Sequence, residues 1–284
     1  MPVLNPVERT ALLTAALRAA ETRREDRLYE DPYAAGLVGD AGPGLLAEIQ
    51  AATFPADRPR TLPSTPDYNA IRTRFFDDLL QQAAREPETT QIVLAPAGMD
   101  SRAYRLPWPG HIRYFEVDRP AVLDFKAQRL RGVQPQVDHR TVAVDLTADD
   151  WEDHLVAAGY DPAVPSTWLL EGLLYYIPET DAHRMLKRVA ALSAPGSRIA
   201  ADIVNRAALT LPHMRGLLDV FAGWGCPWVF GTDEPEDLFE AYGFDVRAVQ
   251  PGEPDADFGR WPDPVPPREV EDVRRVFFVH GRRR

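Results

Sequence analysis

The stretch IVLAPAGMDSRAYRL, Ile92 to Leu106, reads as a buried strand running into a tight turn and then a short helix. A turn that wraps a dinucleotide pyrophosphate carries several glycines, because backbone N–H groups must come close to the phosphates. Here Gly98 is the only glycine, and Pro96, which has no N–H to offer, stands two residues before it. Alone, the turn leaves three readings open: an impaired nucleotide loop, a loop for another cofactor, or only a turn.

Working outward, strand and helix signals alternate from Gln91 onward, the pattern of a parallel sheet with helices on both faces. The expected strands are Gln91–Ala95, Ile112–Val117, Thr141–Val144, Thr167–Leu170, Ser197–Val204, Phe244–Val249 and Arg274–Val279. Helices are signalled at Asp124–Leu130, Ala148–Ala158, Glu179–Leu192 and Glu234–Tyr242, several with Asp, Thr or Glu near the start, where capping and the helix dipole favour them. The expected fold is therefore α/β: a Rossmann-like, doubly wound domain of seven strands over residues 91–284. Residues 1–90 read as a helical extension, with helices at Pro6–Thr22, Asp31–Gly39 and Pro66–Arg85. Between the fifth strand and the next helix, residues 205–232 form an aromatic-rich insertion with Phe221, Trp224, Trp228 and Phe230. It reads as a lid over a pocket or as a satellite hydrophobic cluster.

Bulk composition narrows the function. The chain has 284 residues, 45% of them hydrophobic, enough to bury a substantial core. A net charge of −11 argues against nucleic acid or an anionic membrane as the main partner. One cysteine, Cys226, excludes an internal disulfide framework and fits a reducing compartment. The opening MPVLNPVERTALL has no signal-peptide pattern, and no apolar run has the length of a membrane span, so a cytoplasmic protein is expected. The 27 prolines cluster in connections at Pro55–Pro66, Pro107–Pro109 and Pro251–Pro267, and the closing Arg282–Arg284 reads as a solvated basic tail.

Ligands of open α/β sheets bind outside the carboxyl ends of the strands. Four consecutive strand ends there offer the Ala97-Gly98 turn, Glu116 and Asp118, Asp145-Leu146, and Glu171-Gly172. Residues 112, 114, 116 and 118 alternate to one face, so both acids of that strand point the same way. Asp118 lies 20 residues past Gly98, the spacing at which an acid meets ribose hydroxyls. A rim of acids beside a loop with one glycine and Asp100 is unsuited to phosphate. It suits a ligand with hydroxyls, amines and positive charge, and S-adenosyl-L-methionine is such a ligand. Its one anionic group, a carboxylate, calls for an arginine. Arg72 shares a helical face with Phe76 and Leu79 and is placed to point inward, whereas Arg74 stands four residues before Asp78 and reads as half of a surface ion pair.

These residues also resemble a known family, the leucine carboxyl methyltransferases, also called protein phosphatase methyltransferases. The likeness is closest to an actinobacterial branch of S-adenosylmethionine-dependent methyltransferases. The matching stretches are LYEDPYA (28–34), IRTRFFDDLL (71–80), IVLAPAGMDSRAYRL (92–106), YFEVDRPAVLDFKAQRL (114–130), VAVDL (142–146), WLLEGLLYYIP (168–178) and LSAPGSRIAADI (192–203). The resemblance implies a class I methyltransferase fold and a residue-by-residue cofactor site. Arg72 resembles the arginine on the methionine carboxylate, and Ala97 and Gly98 the turn beside the methionine moiety. Asp118 resembles the ribose acid, Asp145 and Leu146 the pair at the adenine, and Glu171 the carboxylate near the methionine amine. The sequence departs from the leucine-specific enzymes at Pro96, where they have glycine, and near Asp26 and Arg27, where they carry a lysine before the DP stretch. The family's acceptors are carboxylates, on a protein C-terminus or on an aromatic polyketide.

A carboxylate acceptor is already ionised at neutral pH and needs no base, whereas a phenol, with a pKa of about 10, usually does. Of the six histidines, His111 and His139 precede strands, His154 and His183 sit on helices, and His280 ends a strand, which leaves only His213 in the insertion. Tyr175 and Tyr176 are candidates to face the transferred methyl, Arg215 to pair with an acceptor carboxylate, and Trp224 to line an acceptor pocket. Cys226 stands alone and no histidine pair has ligand spacing, so no metal is expected. The expected activity is O-methyl transfer to a carboxylate or hydroxyl of a small, secondary metabolite. The alternatives are a carboxyl methyltransferase for peptide C-termini and a non-catalytic S-adenosylmethionine-binding regulator. A nicotinamide oxidoreductase ranks fourth, because the loop is wrong for pyrophosphate.

Overall fold

The computed structural model describes residues 6–53, 65–261 and 264–284; most of the Pro55–Pro66 connection and the first five residues lie outside this description. The strands are β1 (Gln91–Leu94), β2 (Arg113–Asp118), β3 (Asp138–Ala143), β4 (Ser166–Leu170), β5 (Arg198–Val204), β6 (Phe244–Val249) and β7 (Val276–Arg283). They form one sheet in the order β3-β2-β1-β4-β5-β7-β6. The chain order reverses between β1 and β4, so the crevice for a ligand opens above those strands. All pairs are parallel except those of β7, which runs antiparallel between β5 and β6, so the sheet is mixed rather than wholly parallel.

Side chains alternate across the sheet with period two and feed two cores. Ile92, Leu94, Tyr114, Leu169, Ala200 and Phe278 face one cluster. This cluster includes residues of α1 (Pro6–Thr22), α2 (Ala34–Val38), α3 (Gly42–Thr53), α4 (Thr65–Ala84), α5 (Arg102–Arg105) and α6 (Pro120–Arg129). Val93, Phe115, Trp168, Ile199, Phe277 and Val279 face the other, beneath α7 (Trp151–Ala157), α8 (Glu179–Leu192) and α10 (Pro235–Glu240). The N-terminal helices are thus built into the sheet's own core.

Beyond shifts of up to four residues at element ends, as at β3 and α6, two larger differences from expectation stand out. Helix α3 begins with Gly42-Pro43-Gly44, which reads as a breaker; proline is tolerated in a first turn because the N–H it lacks has no intrahelical partner there. The Arg282–Arg284 stretch is not a loose tail. Strand β7 continues through Arg283, whose guanidinium donates to the Tyr242 carbonyl at 2.7 Å and covers the Phe244 ring, while Arg282 pairs with Glu86 at 2.9 Å. Gly281 lets the strand pass, since a Cβ there would stand 2.0 Å from the Asp245 carbonyl oxygen.

Candidate functional site

At the carboxyl ends of β1, β2 and β4 the structure holds a cavity of about 400 Å³, within the usual range for a small-molecule site. The opening stretch forms one wall. After β1 the chain turns through Pro96 and Ala97 to Gly98, whose φ of 49° lies in the left-handed region that glycine enters without a Cβ penalty. The Gly98 N–H donates to Asp118 Oδ2 at 2.7 Å, and the Arg119 N–H donates to Asp118 Oδ1 at 2.7 Å. Burial raises the Asp118 pKa, and these two N–H groups oppose the rise. Asp118, Asp145, Leu146, Ala97 and Gly98 all line the cavity. Asp145 Oδ1 accepts from the N–H and hydroxyl of Thr147, which fixes its carboxylate at the end of β3. Helix α1 covers this wall with Thr10, Ala11, Thr14 and Arg18.

Glu116 does not reach the rim, contrary to the sequence expectation. It faces the same way as Asp118 but lies one pleat lower, fully buried. Lys126 of α6 closes over it at 2.6 Å, and His139, inside β3, stands 3.2 Å away. Burial opposes the charge on Glu116, but Lys126 and His139 outweigh it and hold the pKa low.

Beyond Gly98 the cavity floor is a network of buried ions. Arg72, on α4, places Nε 3.0 Å from Glu171 Oε1 and donates through Nη1 to Asp202 Oδ2 at 2.8 Å. Arg102, on α5, is 1% exposed and reaches Asp77, Asp100 and Glu171 at 2.7, 2.6 and 2.7 Å. Arg105 pairs with Asp77, and Arg18 pairs with Asp31 and donates to the Met99 carbonyl. Burial pulls the Arg72 and Arg102 pKa values down, but the surrounding carboxylates more than offset this, leaving both well above the ordinary value. Glu171 is therefore held by two arginines, and Arg72 by two carboxylates. Arg74 lies outside the network, paired with Asp78 at 2.7 Å on the surface.

The other half of the cavity is apolar. Tyr175 and Tyr176, in the turn after β4, meet Phe221 and Trp228 of the insertion, with Leu173, Ile177, Leu217 and Cys226 around them. Ring centroids are 4.7 Å apart for Tyr175 and Tyr176, 4.8 Å for Tyr175 and Trp228, and 5.6 Å for Phe221 and Trp228. The insertion folds as two short 3-10 turns and α9 (Arg215–Gly223), and the Val229 N–H donates to the Tyr175 carbonyl at 2.8 Å. Three sequence candidates do not line the cavity. His213 and Arg215 are exposed at the start of α9, and Trp224 turns away to donate its indole N–H to Glu48 of α3 at 2.8 Å, under the Arg9 guanidinium. Trp228, four residues on, and Arg274, just before β7, line the cavity instead.

Comparison with known proteins bears on this arrangement. The Leucine carboxyl methyltransferase family model matches residues 11–190, which span every cofactor candidate above. The chain belongs to the leucine carboxyl methyltransferase family. It is 46% identical, over 76% of its length and 72% of the relative's, to a Parafrankia protein named "Putative S-adenosyl-L-methionine-dependent methyltransferase". A Streptomyces avermitilis relative with the same designation is 41% identical over 92% and 91% of the two chains. Among solved structures, a DUF574 family protein from Streptomyces avermitilis superposes with a TM-score of 0.59 at 16% identity, covering 95% of this chain and 97% of that one, a likeness of fold. Leucine carboxyl methyltransferase family membership carries the coarse activity, methyl transfer from S-adenosyl-L-methionine.

The cavity suits that donor's chemistry. Its lining combines a buried acid beside the turn, an acid next to an apolar leucine, and an arginine against a glutamate, as a ribose, an adenine and an amino-acid head would require. Sequence reading within this family missed Asp202, Arg102, Tyr68 and Arg274. Asp202 carries the one usable signal, an acid inside the apolar strand RIAADIV.

Proposed function

We propose that this protein transfers a methyl group from S-adenosyl-L-methionine to the carboxylate of a small aromatic acceptor, a hydroxyl being the second choice of nucleophile. The observation that carries this reading is the division of one cavity into a charged half at Gly98, Asp118, Arg72 and Glu171 and an aromatic half at Tyr175, Tyr176, Phe221 and Trp228. In the charged half, Asp118 would accept from the ribose hydroxyls, Asp145 and Leu146 would meet the adenine, and Glu171 and Arg72 would take the ammonium and carboxylate of the methionine head.

When bound, the donor supplies a sulfonium methyl that is open to in-line displacement. The protein's contribution is positional, because holding two reactants in line removes much of the entropic barrier. The aromatic walls exclude water and stack a flat acceptor. Arg274 lines the cavity, with Nη1 3.9 Å from the Met214 sulfur of the insertion, and is the cation assigned to the acceptor carboxylate in place of Arg215. Tyr175 supports an acceptor that is already ionised: burial, reinforced by Asp202, raises its pKa well above the ordinary value, so it is a poor base at neutral pH.

The test has two stages. S-adenosylhomocysteine should raise the melting temperature of the protein and NADP should not; no stabilisation by S-adenosylhomocysteine sinks the cofactor reading. Labelled donor should then methylate aromatic carboxylic acids in preference to peptide C-termini, giving a product that loses its methyl in alkali as an ester does. Exclusive methylation of peptides, or an alkali-stable product, would overturn the acceptor assignment.

A further inference from the structure

Strand β5 alternates between the two cores, with Ile199, Ala201 and Ile203 on one face and Ala200, Asp202 and Val204 on the other. The pattern calls for an apolar residue at 202, yet a fully buried aspartate stands there. Burying a carboxylate is costly unless donors surround it. Four do. Asp202 Oδ1 accepts the Gly172 N–H at 2.6 Å, and Oδ2 accepts Arg72 Nη1 at 2.8 Å, the Tyr68 hydroxyl at 3.0 Å and the Tyr175 hydroxyl at 3.3 Å. These donors come from α4, from the turn after β4 and from the short 3-10 turn that follows it. Three of them, Tyr68, Arg72 and Tyr175, belong to side chains that line the cavity.

The geometry points to Asp202 as a positioning residue for the amino-acid head of the cofactor, an inference that rests on the functional reading above. Arg72 and Glu171 carry opposite charges and approach to 3.0 Å, Nε to Oε1, yet that Nε makes no hydrogen bond among the described residues. A guanidinium left free beside a carboxylate closes into a two-point fork, and each group then satisfies the other. Asp202 restrains that closure from the far edge, because the fork would use Nε and Nη2 and turning the guanidinium into it would pull Nη1 off Asp202. It holds Nη1, with the Tyr175 hydroxyl 3.3 Å from the same nitrogen and the Tyr68 ring beneath the guanidinium. Arg102 does the equivalent for Glu171 by holding Oε2 at 2.7 Å. The arginine and the glutamate therefore remain separate ligands for the two charges of a zwitterion. Asp202 touches no ligand itself and acts through Arg72.

The test compares two probes that differ only where this matters. S-adenosylhomocysteine carries the amino-acid head, and 5′-methylthioadenosine lacks it while keeping the adenosine and the sulfur. Asp202→Asn is close to isosteric and removes the charge. By calorimetry it should bind S-adenosylhomocysteine about 10- to 100-fold more weakly, the range for one lost charge-assisted hydrogen bond, while 5′-methylthioadenosine stays within about two-fold of wild type. Equal losses for both probes would show a merely structural role, and unchanged or tighter S-adenosylhomocysteine binding would overturn the inference. Should Asp202→Asn not fold, Tyr175→Phe, which loosens the same anchor, should cost about three-fold on S-adenosylhomocysteine alone; equal effects on the two probes, or none, again overturn it. If wild-type protein binds neither probe, it is the cofactor reading that has failed. Binding of both by wild type with no selective loss in the variant is failure of the role given to Asp202.

Discussion

Replacing Arg102 by methionine should be among the most damaging single changes in this molecule. The side chain is 1% exposed and its three ionic partners are Asp77, Asp100 and Glu171. Methionine fills a similar volume, so the loss is electrostatic rather than a cavity. Two of the three acids keep another cation: Asp77 keeps Arg105 at 2.7 Å and Glu171 keeps Arg72 at 3.0 Å. Among the described residues Asp100 keeps only the backbone N–H of residue 102, at 2.7 Å, as a hydrogen-bond partner, with Lys126, Arg18 and Arg105 acting from farther off, and becomes the least compensated of the three charges. Breaking a buried pair from one side costs about 3–5 kcal/mol, and with two partners still satisfied the lower half of that range applies. At about 2–3 °C per kcal/mol for a chain of this size, the melting temperature should fall by about 6–12 °C near pH 7.5. The pH dependence carries a sign. In the native protein burial pushes the Asp100 pKa up, but Arg102 and its neighbours outweigh that and hold it below the ordinary value. This stability is present above the unfolded carboxylate pKa and is lost as pH falls through the folded one. In the variant the Asp100 pKa rises, so acid relieves the buried charge, and the gap to wild type should narrow between about pH 7.5 and about pH 5. Thermal denaturation followed by circular dichroism at both pH values is sufficient. A fall below about 2 °C, where surface substitutions lie, or a gap that widens in acid, would refute the assignment of the cost to Asp100.

Gly98→Ala tests the opening turn: a Cβ at φ 49° costs about 1–2 kcal/mol, and it would sit 3.4 Å from Ala11 Cβ of the covering helix. A melting temperature lower by about 2–6 °C together with weakened S-adenosylhomocysteine binding is expected, and unaltered binding would show that the turn does not press on the ligand. His280 tests acid sensitivity: burial first, then Arg247 and Arg198, with Asp255 opposing, pull its pKa down to about 4. Because the unfolded chain takes up that proton first, wild-type stability should decline as pH falls from about 6.5 to about 4, and urea midpoints of His280→Gln should decline less over the same window. Parallel curves would remove His280 from the account.

Periodicity carried most of the fold. Strand β6 and helices α1 and α8 have the expected limits, and in α8 the reason is a long pattern set by a single buried face. Helix α3 was hidden by glycines around a proline, whose tolerance depends on position within the helix rather than on residue type. The lining of the charged half was legible because strand ends fall on one rim whatever the loops do. The ion network below it was not, since Arg72 meets Tyr175 and Asp202 across 103 and 130 residues, separations that no local spacing encodes. In the insertion, Trp224 rather than Trp228 was expected to line the acceptor pocket. Only the docking of α9 against α3 sends Trp224 to Glu48 and leaves Trp228 in the cavity.

The antiparallel strand β7 has a consequence for how the protein is made. It is the last of the seven strands in chain order, yet it sits between β5 and β6. During vectorial synthesis the edge of β5 is therefore open until β7 emerges, and β6 has no partner at all before then. An unpaired apolar edge is a template for pairing with other chains, so the interval before β7 arrives is when the nascent protein is most exposed to aggregation. Asp202 lies opposite Phe278 on β7, and Arg274, just before that strand, and Val276, its first residue, line the cavity. Sheet and binding site are thus completed by the same late event, and ribosome-bound chains stopped short of β7 should have neither complete.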